Sequence, residues 1–223
     1  MHIKRLVKSL LFPGGVRPRK ILFGAGRGIT VMSTPSDQSQ RLLGLAELEI
    51  ARHFVAFAKA SNSFCDVGAS DGWYCLLARK HNPGIRVVAM EPEDGLTALA
   101  RKNFHLNGLV EDDSLRWIKN SCGTNATTLD QVLSEFPEPI FVKMDIEGAE
   151  MDALESGARV LSAKDCVLII ETHSLELEVR CKEWLETRGY RVRIIPQGFY
   201  RAILPEQRPV AHNQWLSAAR ERS

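Results

Sequence analysis

The sequence predicts an α/β fold: a doubly wound, mostly parallel sheet of seven strands, with an antiparallel C-terminal hairpin and an N-terminal hairpin-and-helix extension. Three observations carry this expectation. From residue 63 onward, strand-like and helix-like segments alternate. Several strand-like segments are unbroken apolar runs, such as Val167-Leu168-Ile169-Ile170, which marks burial on both faces and hence parallel pairing. The last two have no helix between them and meet at Pro196-Gln197-Gly198, as antiparallel neighbours do.

The elements follow in chain order. Residues 1–20 are basic: Lys4, Arg5, Lys8, Arg17, Arg19 and Lys20 surround Leu6-Val7 and Leu10-Leu11-Phe12. This apolar centre is short for a signal peptide and no small-residue cleavage site follows. A basic arm packed on the domain is therefore expected rather than membrane contact. Residues 20–23 and 29–32 flank Gly24-Ala25-Gly26-Arg27-Gly28 and read as a hairpin, followed by a loop over 33–40. With no helix expected after those glycines, they are a turn rather than a dinucleotide site. Residues 45–60 carry Leu45, Leu48, Ile50, Phe54, Val55 and Ala58 at helical spacing, consistent with a helix packed on a sheet. Residues 1–60 thus form an extension, and 61–223 one larger domain. In that domain strands are expected at 63–67, 86–91, 114–119, 140–145, 166–171, 191–195 and 199–204. Helices are expected at 73–80, 95–106, 129–135, 149–161 and 175–188.

Composition narrows the class. The 223 residues are 44% hydrophobic and 25% charged, as in a soluble globular protein. A net charge of +2 gives no extended nucleic-acid surface. No apolar run approaches the ~20 residues needed to cross a bilayer. The five cysteines (Cys65, Cys75, Cys122, Cys166, Cys181) show no paired spacing, so free thiols in a reducing compartment are expected. That makes the protein cytoplasmic and the Asn125-Ala126-Thr127 sequon a chance match.

Chemistry concentrates at strand ends, where open parallel sheets bind ligands. The first strand ends in Asp66, and Gly68-Ala69-Ser70-Asp71-Gly72 then leads into a helix. Glycines there permit positive φ and close approach of a ligand to the main chain. The loop carries two acids and no lysine, which suits a cationic ligand better than a polyphosphate. After the second strand comes Glu91, about 20 residues past the glycines, where an acid can accept ribose hydroxyls; its alternative is an acid stabilised by the dipole of the next helix. The fourth strand ends in Lys143-Met144-Asp145-Ile146-Glu147-Gly148-Ala149-Glu150. Lys143 and Asp145 share a face and can pair, while Glu147 and Glu150 can cap the next helix. The fifth ends in Glu171-Thr172-His173-Ser174, with Ser174 as a candidate helix cap. If these two strands are neighbours, Asp145, Glu171 and His173 meet at one rim. There they can deprotonate an acceptor hydroxyl; holding a divalent cation is the weaker option, and no metal is expected.

In the order Asp66 to Gly72, Glu91-Pro92, then Lys143 to Glu150, the chain resembles the class I S-adenosylmethionine-dependent methyltransferases, and more narrowly the FkbM type. Thr128-Leu129-Asp130, residues 154–157, Glu171-x-His173 and the tail His212-Asn213-Gln214-Trp215-Leu216 match the same pattern. The resemblance implies a Rossmann-like fold with S-adenosyl-L-methionine as cofactor. Asp66, Gly68, Ala69, Ser70, Asp71 and Gly72 would line its methionine half. Glu91 would hold the ribose, and Asn120-Ser121-Cys122 would lie near the adenine. Asp145 would face the methyl group, with Glu171 and His173 completing the catalytic set. Family members point to O-methylation of sugars and natural products, hence a small-molecule or glycan acceptor with a hydroxyl. Two other classes share such a sheet: an NAD(P)-dependent oxidoreductase, and a non-catalytic cofactor-binding scaffold. The acceptor pocket is expected from the arm, the hairpin, the loop 33–40 and the tail after residue 204. Trp73, Tyr74, Trp117, Tyr200 and Trp215 offer ring surface there, although ordinary packing is the stronger expectation for each.

Overall fold

All five residues of Ser63–Val67 are buried, which only a central strand can satisfy. The computed structural model describes residues 15–198, 201 and 212–220. In chain order the elements begin with β1 (Arg17–Lys20), β2 (Thr30–Ser33), α1 (Pro35–Leu42), α2 (Leu48–Ala60) and β3 (Ser63–Val67). Next come α3 (Trp73–His81), β4 (Arg86–Met90), α4 (Asp94–Leu106), β5 (Leu115–Ile118), α5 (Leu129–Leu133) and β6 (Ile140–Met144). The last are α6 (Glu150–Ser156), α7 (Ala158–Ala163), β7 (Cys166–Thr172), α8 (Leu175–Glu186), β8 (Tyr190–Ile195) and β9 (Gln214–Arg220).

Seven of these strands form one sheet in the order β5-β4-β3-β6-β7-β9-β8. The first five run parallel, and β9 pairs antiparallel with both β7 and β8. The strand order reverses beside β3, so the carboxyl ends of β3, β4 and β6 open onto one crevice.

Each face of the sheet has its own core. On one side Val67, Val142, Leu168 and Leu216 pack against Leu129, Leu154, Leu161 and Leu185 of the helices α5 to α8. On the other, Phe64, Phe141, Ile169 and Trp215 pack against α2, α3 and α4. Phe54 of α2 lies 5.4 Å from Phe64, 5.0 Å from Phe141 and 4.8 Å from Tyr74, centroid to centroid. Rings in that range attract edge to face in addition to the area they bury. The two-stranded β1–β2 ribbon is tied to α4 by asparagines one turn apart. Asn103 Oδ1 accepts from Met32 N at 2.7 Å and Asn107 Oδ1 from Thr30 N at 2.9 Å, extending the edge of β2 onto a helix.

Four expectations are corrected. A helix, α1, does follow the glycine-rich turn, beginning at Pro35, whose fixed φ suits the first helical position, and kinked at Gln38. The first hairpin strand starts earlier than expected, at Arg17, and ends at Lys20, while the second is shifted by one residue to Thr30–Ser33; Ile21 N donates to Ile29 O beyond the paired register. The single helix expected over 149–161 is two, divided at Gly157, where a side chain would stand 2.8 Å from Leu129 Cβ. The antiparallel partner of β8 among the described residues is β9, entering between β7 and β8 after a long connection; the expected strand 199–204 lies outside the described residues except for Arg201. The N-terminal residues 1–14 also lie outside them. All five cysteines are free and buried, and no described helix is long and apolar enough to cross a membrane.

Candidate active site

The loop after β3 is shaped by its contact with the loop after β6. Gly68 has φ +80°, and a Cβ there would sit 2.0 Å from the Asp145 carbonyl oxygen. Only glycine lets the two strand ends come together this closely, and Asp145 N donates to Val67 O at 3.0 Å across the same junction. Gly68 N and Ala69 N both donate to Met90 O at 3.0 Å, which fastens the loop to the end of β4 as well. Ser70 also has positive φ, 48°, and its N–H donates to Glu91 Oε2 at 2.9 Å. Glu91 Oε1 accepts from Glu93 N at 3.0 Å. Its carboxylate is thus held by one main-chain donor on each oxygen, joining the loop after β3 to the start of α4.

The two loop acids are buried. Asp66 is fully enclosed; Cys75 Sγ donates to its Oδ2 at 3.4 Å, while Oδ1 has no hydrogen-bond partner. Burial pushes its carboxyl up to about 7, with Lys143 pulling the other way. Asp66 is therefore part of the interior, although it ends its strand beside a glycine turn. Asp71 is 3% exposed; its Oδ2 pairs with Arg41 of α1, its Oδ1 has no partner, and Asn103 Nδ2 holds its carbonyl at 2.9 Å. Arg41 also lies over the Trp73 ring at 5.3 Å.

At the ends of β6 and β7 the charged residues converge. Lys143 is buried, 3.3 Å from Asp145 Oδ2 and 4.6 Å from the Tyr74 ring centroid. Burial works against its charge, but Asp145 and Asp66 together hold its ammonium above its ordinary range. Asp145 Oδ1 is 3.5 Å from His173 Nε2, and Glu171 Oε1 is 3.9 Å from the same nitrogen. The opposite ring nitrogen, Nδ1, is 2.7 Å from Glu150 Oε1, and Glu150 has no exposed surface. That bond, helped by the nearby carboxylates and opposed by burial, raises the imidazole above its usual range. Burial, then the Asp145 charge, raises the Glu171 carboxyl. Ser174 does cap α8, accepting from Leu177 N at 3.1 Å, but it leaves the His173 ring turned to the carboxylates.

The structure brings Asp145, Glu171 and His173 within 4.8 Å of one another, as the sequence suggested. It gathers Asp66, Gly68, Ala69, Ser70, Asp71, Gly72 and Glu91 around the ends of β3 and β4. Ser121 stands apart from these contacts, exposed in the loop past β5, its N–H donating to Asn120 Oδ1. Trp215 is fully buried, Tyr74 is buried, and Trp117 donates to Thr97, so these rings pack or bridge; Tyr200 lies outside the described residues. Sequence reasoning missed two contributors. Arg41 sits in the last turn of α1, a helix whose residues up to Gln40 were read as loop, and Glu150 was read only as a cap or first-turn acid. The Glu-x-x-Glu spacing at the start of α6, set beside a histidine after the next strand, was the available signal for Glu150.

The family model of the methyltransferase FkbM domain matches residues 112–192, which hold β5 to β7, the Lys143–Glu150 run, Glu171 and His173. No curated protein sequence matches the chain. Among solved structures, an S-adenosylmethionine-dependent methyltransferase from Agrobacterium tumefaciens aligns with TM-score 0.59 at 15% identity, over 94% of this chain and 71% of that one. Precorrin-6y C5,15-methyltransferase from Geobacter metallireducens aligns at 0.53 and 16% identity, over 79% and 90% of the two chains. A methyltransferase from Geobacter sulfurreducens aligns at 0.52 and 18%, over 82% and 86%. At such identities the likeness is one of fold, and the strand order, the reversed last strand and the matched domain agree. The chain thus has the fold of the S-adenosylmethionine-dependent methyltransferases, and its residues 112–192 match the methyltransferase FkbM domain.

Proposed function

We propose that the chain methylates a hydroxyl oxygen of a sugar, glycan or natural-product acceptor, with residues 61–223 as the methyltransferase domain and 1–60 as an extension over it. The observation that carries this is the Asp145–Glu171–His173 group. It is a set of proton acceptors at the rim of β6 and β7, joined to the glycine loop through the Gly68–Asp145 contact. An oxygen nucleophile needs its proton taken as the bond to carbon forms, and such a rim supplies acceptors for it.

The cofactor fits the loop's own chemistry. Asp66 Oδ1 and Asp71 Oδ1 are buried without hydrogen-bond partners, a costly state that a bound cation relieves. S-Adenosylmethionine supplies an electrophilic methyl on a positively charged sulfur. Asp66 and Asp71 would hold its amino group, and Gly68, Ala69, Ser70 and Gly72 give its methionine half close access to the main chain. Glu91, already fixed by two backbone donors, would present its remaining lone pairs to the ribose hydroxyls. Ser121 would border the adenine. Asp145 faces the acceptor oxygen, with Glu171 and His173 as the groups that take its proton. Most of the rate then comes from alignment of acceptor and methyl, with proton removal assisting. Buried free thiols support a reducing, cytoplasmic setting.

The test is a screen of hydroxylated sugars, glycans and natural products with methyl-labelled cofactor, followed by product analysis. Label in an O-methyl ether supports the assignment. Label found only on nitrogen or carbon of the acceptors overturns it.

A further inference from the structure

We propose that Asp145, Glu171 and His173 bind one divalent metal ion of the hard first-row kind, such as Mn²⁺ or Mg²⁺. The facing atoms are Asp145 Oδ1, Glu171 Oε1 and His173 Nε2. They are 3.5 Å and 3.9 Å apart across the histidine, and all lie within 4.8 Å. An ion with ligands at ~2.1 Å spaces adjacent ligand atoms by roughly 3 Å, so a modest rotation of each side chain closes the set around it. Two oxygens and one imidazole on one side of an ion suit Mn²⁺ and Mg²⁺ more than thiophilic metals, and the remaining positions stay open to water or an acceptor oxygen.

Two features beyond the cluster itself point to a ligand. The first is the Glu171 side chain, which is 10% exposed and whose carboxylate makes no hydrogen bond among the described residues; its one ion-pair contact there is His173 Nε2 at 3.9 Å. A carboxylate so enclosed and so poorly satisfied is expensive unless something binds it. The second is Glu150. Wholly buried, it holds His173 Nδ1 at 2.7 Å, which orients the ring so that Nε2 faces the gap. A carboxylate behind a histidine in this manner is how metal-binding imidazoles are aimed. Lys143 does not fill the gap. Its Nζ lies against the other oxygen of Asp145, Oδ2, at 3.3 Å, leaving Oδ1 turned to His173.

This inference rests on ligand geometry and is independent of which acceptor is methylated; with the ion bound, the three side chains would act on the acceptor oxygen through the metal instead of taking its proton themselves. A metal here would lower the pKa of any hydroxyl bound to it and hold that oxygen beside the glycine loop. The experiment titrates Mn²⁺ into the metal-stripped full chain without cofactor at pH 7.5, following the paramagnetic resonance of free Mn²⁺. One saturable site per chain is expected. Glu171→Gln and His173→Ala should each weaken it at least tenfold, and Glu150→Gln about 10–100-fold. Cofactor binding by each variant serves as the check that it folds; where a variant fails that check, the wild-type titration decides. Absence of saturable uptake by the wild-type chain, or uptake unchanged in the folded Glu171 and His173 variants, overturns the site. Methyl transfer to oxygen that persists in excess chelator without Mn²⁺ uptake removes the metal and leaves the acceptor assignment standing. Mn²⁺ uptake with transfer only to nitrogen or carbon does the reverse.

Discussion

Replacing Asp66 with asparagine separates the cost of the buried acid from its use. In the cofactor-free protein this carboxyl is fully buried and its pKa rises from 3.8 to about 7, chiefly through lost solvation. The folded state therefore holds the proton more tightly than the unfolded chain. Its stability is highest below pH 4, declines as pH rises from there, and levels off above pH 7. The full shift corresponds to roughly 4 kcal/mol, of which roughly 3 kcal/mol falls between pH 5 and pH 8. Asparagine cannot ionise and loses this term, although its amide leaves a buried donor without a partner at every pH. The measurement is urea unfolding of both proteins, without cofactor, at pH 5 and pH 8. The variant should gain on the wild type by about 2–3 kcal/mol on moving to pH 8, whatever the offset at pH 5. Calorimetry at pH 8 should also show S-adenosylmethionine binding weakened at least tenfold, the loss of one charged contact. An equal stability difference at both pH values, together with unchanged cofactor affinity, would refute the reasoning.

Three further outcomes are expected. Gly68→Ala places a Cβ 2.0 Å from the Asp145 carbonyl oxygen at a positive φ, and should lower unfolding stability by about 2–4 kcal/mol while impairing cofactor binding; a thermal melt within error of the wild type would contradict this. Arg41→Ala strips the 5%-exposed Asp71 side chain of its ion-pair partner, and should cost about 1–3 kcal/mol in urea unfolding. Adding back cofactor should recover part of that loss, and a variant as stable as the wild type without cofactor would show the pair to be idle. Asp145→Asn should reduce kcat by about a hundredfold or more with cofactor affinity within a few-fold of wild type, measured by calorimetry; a parallel fall in both would make Asp145 a binding residue only.

The architecture from β3 to β7 was legible because its signals are local. Phe64, Cys65 and Val67, or Val167 to Ile170, are continuous apolar runs that only a doubly covered strand explains, and the acids at their ends are visible as breaks. The rim group followed from strand adjacency alone, since β6 and β7 are neighbours in the expected order. What stayed hidden depends on contacts distant in sequence. β9 is a mixed run, Gln-Trp-Leu-Ser-Ala-Ala-Arg, whose strand state comes from β7 and β8 on its two sides rather than from its own residues. α1 has little apolar patterning and is anchored by Arg41 reaching Asp71 thirty positions away. Burial of Asp66 could not be read from a position next to a glycine turn, because the covering atoms, Cys75 among them, come from the following helix.

The late entry of β9 between β7 and β8 has a consequence for how the chain is made. As synthesis proceeds from the N-terminus, β8 emerges with no strand to pair with, and the free edge of β7 carries Glu171 and Thr172 exposed to whatever strand comes first. Residues 214–220 then have to enter a slot with both walls already present, giving twelve register positions at once, six on each side. The rim that bears Glu171 is finished only at that moment, because Glu171 lies opposite Trp215. A chain interrupted before residue 214 would hold a complete glycine loop, an incomplete rim and an open strand edge, and such edges seed association between copies. Nascent-chain quality control would meet this protein as a half-closed sheet for as long as its last strand is missing.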